Sequence, residues 1–307
     1  MRVRVLAAVA LAAAILAAPA AAQSKMKSEK LADGVWVGHP EKGANVGWFL
    51  LGDGVVAVDS GGDYASGAEV LKAIAETTGN KPVRALVVTH AHADHVGGAR
   101  AFTDAGARVI SQEAIASQVL GFLAQQAKDS PASSRSTVRP VVEAISERTI
   151  LVDGLHNVQV YFLGAGHTQG DLVVYLVEDK ILFAGDLTAN GRMPYLGSND
   201  VDPAGWERAL GALSRVPIEK VVPGHGDVGT KTMITESLAY LHAVNELAKK
   251  FVESGMRDEM LDAQMRTPDY EIKGIALSEA HIANVKAAVR ATRERLAKAT
   301  TPTPAPK

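Results

Sequence analysis

In the stretch Thr89-His90-Ala91-His92-Ala93-Asp94-His95-Val96-Gly97-Gly98, three imidazoles and one carboxylate fall within six residues, directly after the apolar run Ala85-Leu86-Val87-Val88. Neutral imidazole with carboxylate is a ligand mix that suits zinc, and iron or manganese less well. The spacing supports a metal site. Where a strand runs out, side chains alternate, so His90 and His92 point to the same side and can grip one ion. Asp94 and His95 follow where the chain turns into a helix, which aims them at a different point in space. One motif can therefore feed two metals. Gly97 and Gly98 let that helix start lie close against the sheet.

Four further residues fit the same chemistry. His167 lies in Gly164-Ala165-Gly166-His167-Thr168, Asp186 in Phe183-Ala184-Gly185-Asp186, His225 in Val222-Pro223-Gly224-His225-Gly226, and Asp59 in Val58-Asp59-Ser60-Gly61-Gly62. Each follows an apolar run and has glycine close by, so each is expected at a strand end on one rim of the fold. Singly they are weak signals, because a lone strand-end His or Asp more often just satisfies a loop. With the first stretch they complete two coordination sets. His39, His156, His242 and His281 match no such position and are read as surface or packing residues; His39, in the turn from Gly38 to Gly43, has the best reach toward the site.

The elements that must position these residues follow from periodicity. Short β-rich runs at 34–38, 45–51 and 55–59 open the chain, with Gly52-Asp53-Gly54 as a tight turn. Ala65 to Thr78 has helical spacing and stops at Gly79. After the His-rich stretch come a strand at 108–111, a helix at 113–126, a polar Ser/Pro-rich loop from Lys128 to Pro140, and a short helix from Val141 to Ile145. The second half repeats the grammar, with strands at 149–152, 158–163, 172–177, 180–183 and 220–222 and a helix at 203–215. Two such halves predict two sheets packed face to face with helices outside. Long helices are expected at 232–254 and 278–298, where they can cover the site, form a homodimer contact or pack on the sheets; core packing is the default.

Composition bounds the rest. The 307 residues are 47% hydrophobic and 21% charged, enough for one large core around two sheets. Met1 to Ala22 carries Arg2 and Arg4, then an Ala/Leu/Val run, then Ala20-Ala21-Ala22, the pattern of a cleavable signal peptide. The run is too alanine-rich to favour a membrane anchor. Loss of Arg2 and Arg4 would take the formal charge from −2 to −4 and leaves no basic block, which argues against nucleic acid as a partner. The absence of cysteine excludes disulfides, a thiol nucleophile and a lipid-bearing cysteine. The expected protein is periplasmic or secreted, with one domain over 23–298 that includes the C-terminal helices from about 230, and a disordered tail over 299–307.

Taken in order, these motifs resemble the metallo-β-lactamase superfamily of hydrolases over roughly Leu31 to Gly229. The resemblance implies an α/β fold, a four-layer αββα sandwich of two mixed sheets, with a two-metal site on one edge. It implies that His90, His92 and His167 hold one zinc, that Asp94, His95 and His225 hold a second, that Asp186 bridges them, and that Asp59 orients ligands through hydrogen bonds. Two cations roughly 3.5 to 4 Å apart can share a water whose pKa drops to near neutrality, giving a hydroxide nucleophile that Asp94 helps to orient. Asn190, Arg192 and Tyr195, in the loop after Asp186, can contact a small-molecule substrate.

The implied reaction is cleavage of an ester, lactone, thioester or amide-type bond. The β-lactam-cleaving branches usually carry Cys or Ser where this chain has Asp186, and the extra anion lowers the effective charge of the metals toward a carboxylate-bearing drug. β-Lactam hydrolysis is therefore the alternative rather than the first reading. The ligand set is closer to that of glyoxalase II and lactonases. A related iron dioxygenase needs only one metal, and the complete second set with His225 speaks against it. Di-iron flavin-linked relatives carry Glu in place of His92, and a non-enzymatic binding protein would be expected to lose a ligand; none is missing.

Overall fold

The computed structural model describes residues 24–129, 140–152, 157–272 and 274–300. The signal-peptide reading for Met1 to Ala22, His156, most of the polar loop and the last seven tail residues lie outside that range. The first sheet runs β1 (Lys27–Ala32), β2 (Val35–His39), β3 (Val46–Leu51), β4 (Gly54–Val58), β5 (Val83–Val87), β6 (Arg108–Gln112), β7 (Val142–Ile145), in that spatial order. Its first four strands are antiparallel, and β4 to β7 are parallel. The parallel part needs crossovers, which are α1 (Tyr64–Thr78), then α2 (Ala93–Val96) with α3 (Ala99–Asp104), then α4 (Ala116–Gln126). The second sheet, built from β8 (Arg148–Val152), β9 (Asn157–Phe162), β10 (Leu172–Leu176), β11 (Ile181–Ala189) and β12 (Lys220–His225), has the order β12-β11-β10-β9-β8. Only β11 and β12 are parallel, joined over α5 (Pro203–Leu213).

Alternation along the strands separates three apolar layers. In β4, Val56 and Val58 face the second sheet while Val55 and Ala57 face the helices; in β10, Val174 faces the first sheet while Val173 and Tyr175 face outward. Both faces of these strands are covered, which is why they read as unbroken apolar runs. Between the sheets, Phe49, Val87 and Ile110 meet Val160, Leu172 and Phe183. Trp48, Ile74, Leu86 and Phe102 fill the layer under α1, α3 and α4. Under α5, α6 (Thr232–Glu253) and α8 (Glu279–Thr300), Trp206, Leu210, Leu241, Val244 and Val285 fill the third. This is the expected αββα sandwich, and both C-terminal helices contribute to its outer core. The short α7 (Leu261–Gln264) lies between them.

Three details correct the sequence reading. Val142–Ile145 is a strand, not a helix; pairing with β6 decides the conformation of a segment too short to choose for itself. β11 does not end at Phe183 but runs on to Ala189, so Asp186 sits inside a strand, where the register slips on both sides of Gly185. α8 extends to Thr300, into the stretch expected as tail.

Candidate metal centre

The strands end where the chemistry must be. β4 and β5 are parallel neighbours, so their C-terminal ends, which lead into Asp59 and His90, share one rim. β11 and β12 deliver Asp186 and His225 to the rim of the other sheet, and the turn from β9 to β10 adds His167 there. Crevices beyond the carboxyl ends of parallel strands are where α/β folds bind ligands. Two backbone bonds tie the rims together: Leu172 N–H donates to Thr89 O at 2.7 Å and Asn45 N–H to Gly224 O at 2.8 Å. Gly98 lets the α2–α3 turn approach the sheet, because a Cβ there would lie 2.0 Å from Ser60 O.

Seven of the predicted side chains converge in two groups. His90, His92, His167 and Asp186 each bring one ligand atom to within 4.8 Å of the others, as do Asp94, His95 and His225. In the first group His90 Nε2 and His167 Nε2 both lie 3.0 Å from His92 Nδ1. In the second, His225 Nε2 is 3.1 Å and His95 Nε2 is 3.8 Å from Asp94 Oδ2. Asp186 stands between the groups, 3.5 Å from His167 Nε2, 3.2 Å from His95 Nε2 and 3.7 Å from His225 Nε2.

Asp59 sets the tautomers. Its Oδ1 accepts Thr89 N–H, and its Oδ2 accepts both the Thr89 hydroxyl and His95 Nδ1–H, each at 2.8 Å. With its proton given to Asp59, Thr89 Oγ1 can only accept from His90 Nδ1, 3.1 Å away. These bonds therefore fix both rings so that His90 and His95 each turn Nε2 into the site, one in each group. Asp59 is 2% exposed and takes a left-handed backbone at φ 62°, which its three accepted bonds hold in place.

The charges follow from burial. Burial and the neighbouring His95, His167 and His92 hold His90 well below the ordinary imidazole range. His167 falls to about 4 for the same first reason, against the pull of Asp186. Burial also opposes charge on His95, but Asp59 and Asp186 outweigh it and raise it to about 10. The hydrogen bond from His225, then His95, keeps Asp94 far below its usual value; Asp186 is lowered too, burial being overcome by His95, His167 and His225.

This donor set fits divalent cations. His92 Nδ1 carries at most one proton, so it cannot satisfy both imidazole nitrogens that touch it. His95 Nε2 and Asp186 Oδ1 are buried and face each other at 3.2 Å without hydrogen-bond geometry. Buried polar atoms left that way are costly unless something binds them. The 3.0 Å nitrogen spacing is close to the ~3.3 Å edge of a tetrahedral zinc site with bonds of about 2.05 Å.

A cavity of about 120 Å³ opens beside His167, Asp186 and His225, walled by Arg192, Tyr195 and Trp206. Arg192 and Tyr195, expected as substrate contacts, line this cavity. Asn190 is not on that wall; its side-chain amide donates to Asp227 O at 3.0 Å and braces the loop behind His225. His281 and His242 are packing and surface residues, bonded to Tyr240 and Glu207.

Three positioning residues were not foreseen. Asn45 Nδ2 donates to Pro223 O and Gly226 O, on either side of His225, while its Oδ1 accepts from His39 Nδ1 at 2.7 Å. So His39 acts on the site only at second hand. Trp206 lies edge-on to His167, with centroids 5.3 Å apart, and anchors on Leu187 O. Asp171 accepts Thr168 N–H and the Thr168 hydroxyl, closing the turn that carries His167. The polar residue in a Gly-containing turn was the available signal for Asp171; Asn45 had none.

Burial pushes the Asp171 carboxyl up to about 7, against the Thr168 bonds. Above the ordinary value of ~3.9, an unfolded chain has lost the proton that the folded chain keeps. This group's contribution to stability should therefore fall between about pH 4 and pH 7 and then level off. Asp171→Asn should flatten that part of the profile, read as the difference in denaturant midpoint between variant and parent across the range.

Residues 40–225 match the family model of the Metallo-beta-lactamase superfamily. The chain is 30% identical over 191 residues to a Metallo-beta-lactamase type 2 of Bacillus sp. (strain 170), covering 61% of this chain and 68% of that protein. It is 28% identical over 176 residues to a human acyl-coenzyme A thioesterase, covering 53% of this chain and 62% of that one. The solved Metallo-beta-lactamase from Pontibacter korlensis superposes with a TM-score of 0.59 at 28% identity, over 71% of this chain and 99% of that chain. A His/Asp cluster at the shared rim of a two-sheet sandwich, and a family match over most of the core, lead to one conclusion: the chain belongs to the metallo-beta-lactamase superfamily and is a metal-dependent hydrolase.

Proposed function

We propose that the protein is an exported hydrolase that holds two zinc ions and cleaves an ester, lactone, thioester or amide-type bond in a small molecule. The observation that carries this reading is the pair of converging donor groups with Asp186 between them. His90, His92 and His167 would hold one ion, Asp94, His95 and His225 the other, and Asp186 both. When bound, such ions supply Lewis acidity at the attacked carbonyl and an acidified water as nucleophile. The chain's own residues do the positioning. Asp59 and Thr89 lock one imidazole of each group, and Asp94, whose side chain is 42% exposed, presents a carboxylate that can orient the attacking water. Arg192 and Tyr195 face the cavity where the substrate carbonyl must lie, and Trp206 keeps solvent from the His167 side.

β-Lactam cleavage is the second reading, favoured by the 30% identity to the Bacillus enzyme. A panel of esters, lactones, thioesters, phosphodiesters and β-lactams, run on zinc-reconstituted protein with metal analysis and oxygen uptake alongside, separates the readings. Hydrolysis of an ester-like substrate with two bound zinc ions is the expected result. Oxygen consumption without hydrolysis would replace the proposal with an oxygenase.

Gly224 offers a further check. A Cβ there would lie 1.9 Å from Asp186 Oδ1 and 2.8 Å from His95 Cε1. Gly224→Ala should leave the fold intact but displace the shared carboxylate, lowering turnover by about 10²-fold, in keeping with the cost of small misplacements at a reacting site. Circular dichroism and metal content on the same sample check both halves.

A further inference from the structure

The wall between Arg192 and Leu196 has two sides. One faces the metal-adjacent cavity; the other borders a groove of about 530 Å³ lined by Met193, Met233, Tyr240, Ile272 and Ile275, with Glu236 at its polar margin. Ala189, Arg192, Met193 and Pro194 belong to both, so the groove adjoins the candidate site across this loop. The groove's other walls, α6 and the segment before α8, lie beyond residue 225, where the family match ends.

The wall is fixed by one side chain. Asn284, on α8 and 3% exposed, donates Nδ2 to Pro194 O at 2.7 Å and accepts Leu196 N–H on Oδ1 at 2.9 Å. The same Nδ2 lies 2.8 Å from the Tyr240 hydroxyl, which in turn lies 3.0 Å from His281 Nδ1. Since Asn284 donates to Tyr240, the phenol proton goes to His281. The C-terminal helices thus hold the substrate loop from behind while shaping the groove in front. A preformed, mostly apolar cleft with a few polar groups at its mouth is what a small-molecule site looks like, and two flexible methionines let it accept chains of different length.

Resting on the hydrolase reading, we propose that this groove receives an unbranched aliphatic arm of the substrate, with the scissile carbonyl in the metal-adjacent cavity and Arg192 at the junction. In the reaction tested, water adds its oxygen to the acyl carbon, the bond to the aryl oxygen breaks, and a carboxylic acid and p-nitrophenol are released.

The test uses the zinc-loaded full chain with p-nitrophenyl acetate, butyrate, octanoate and dodecanoate. The ratio kcat/KM should rise about two- to fourfold per methylene before levelling, the range expected for burying a CH₂. Ala239, exposed on α6 and lining the groove, provides the variant: Ala239→Trp should flatten the rise. Independently of catalysis, decanoate but not butyrate should bind the metal-free protein by calorimetry, at least tenfold more weakly in Ala239→Trp. Decanoate binding without any ester hydrolysis would uphold the groove and overturn ester cleavage as the reaction of the site. Hydrolysis that ignores chain length, with no decanoate binding, would overturn the groove alone. So would a concentration-dependent dimer that Ala239→Trp dissociates, because the groove would then hold a second copy.

Discussion

Asp186→Ala should cost at least about 10³-fold in turnover and leave the protein with no more than one tightly held metal. The carboxylate stands between the two donor groups: it lies 3.5 Å from His167 in one and 3.2 and 3.7 Å from His95 and His225 in the other. Its strand neighbours Gly185 and Leu187 carry no donor that could take its place. The variant should still fold, because Asp186 lies at the rim while the sheets are held by Leu182, Phe183 and Ala184 behind it. Metal content by plasma emission, with activity measured on the reconstituted sample, checks the expectation. A variant that keeps two zinc ions and full turnover would remove Asp186 from the site and the two-metal reading with it.

The second large effect belongs to a residue that touches no metal. Asp59→Ala should weaken metal binding in both groups at once, by roughly 10- to 100-fold, the usual cost of losing a group that orients ligands. The reason is the branching of its contacts: His95 directly, and His90 through the Thr89 hydroxyl. Without the carboxylate, either imidazole can turn its proton toward the site. A loss of roughly 1 to 3 kcal/mol in stability should accompany this, since Thr89 N–H and the Thr89 hydroxyl are left buried without an acceptor. Asp59→Asn separates the two effects. Its single carbonyl can still accept from Thr89 N–H, so stability should largely return while metal affinity does not. Competition with a chromophoric chelator measures affinity and urea titration measures stability. If Asp59→Ala lost affinity in one group only, the relay through Thr89 would be wrong.

How much of this was legible beforehand depends on distance along the chain. The strand and helix pattern was readable wherever apolar residues alternate under two covered faces, as in Gly54–Val58, or recur at helical spacing, as in Tyr64–Thr78. It failed at Val142–Ile145, whose pairing partner is the strand Arg108–Gln112, with Val109 opposite Val142. The candidate metal donors stood out because imidazole and carboxylate at the ends of apolar runs have few bland explanations in such number. Asn45, Trp206 and Asn284 did not, because amides and aromatics occur everywhere, and their partners lie far off: Asn45 bonds to Pro223 and Gly226, Asn284 to Pro194 and Leu196.

The sequence by itself determined the sandwich, the family and which seven side chains could serve as metal donors, because residue chemistry and short-range periodicity are written locally. The tertiary structure decided which nitrogen of His90 and His95 faces inward, that Asn190 braces a loop while Arg192 and Tyr195 line the cavity, and that the last two long helices hold the loop beside it through Asn284 and Tyr240. Those outcomes depend on hydrogen bonds and packing between segments remote in the chain, and only folding brings such partners within reach of one another.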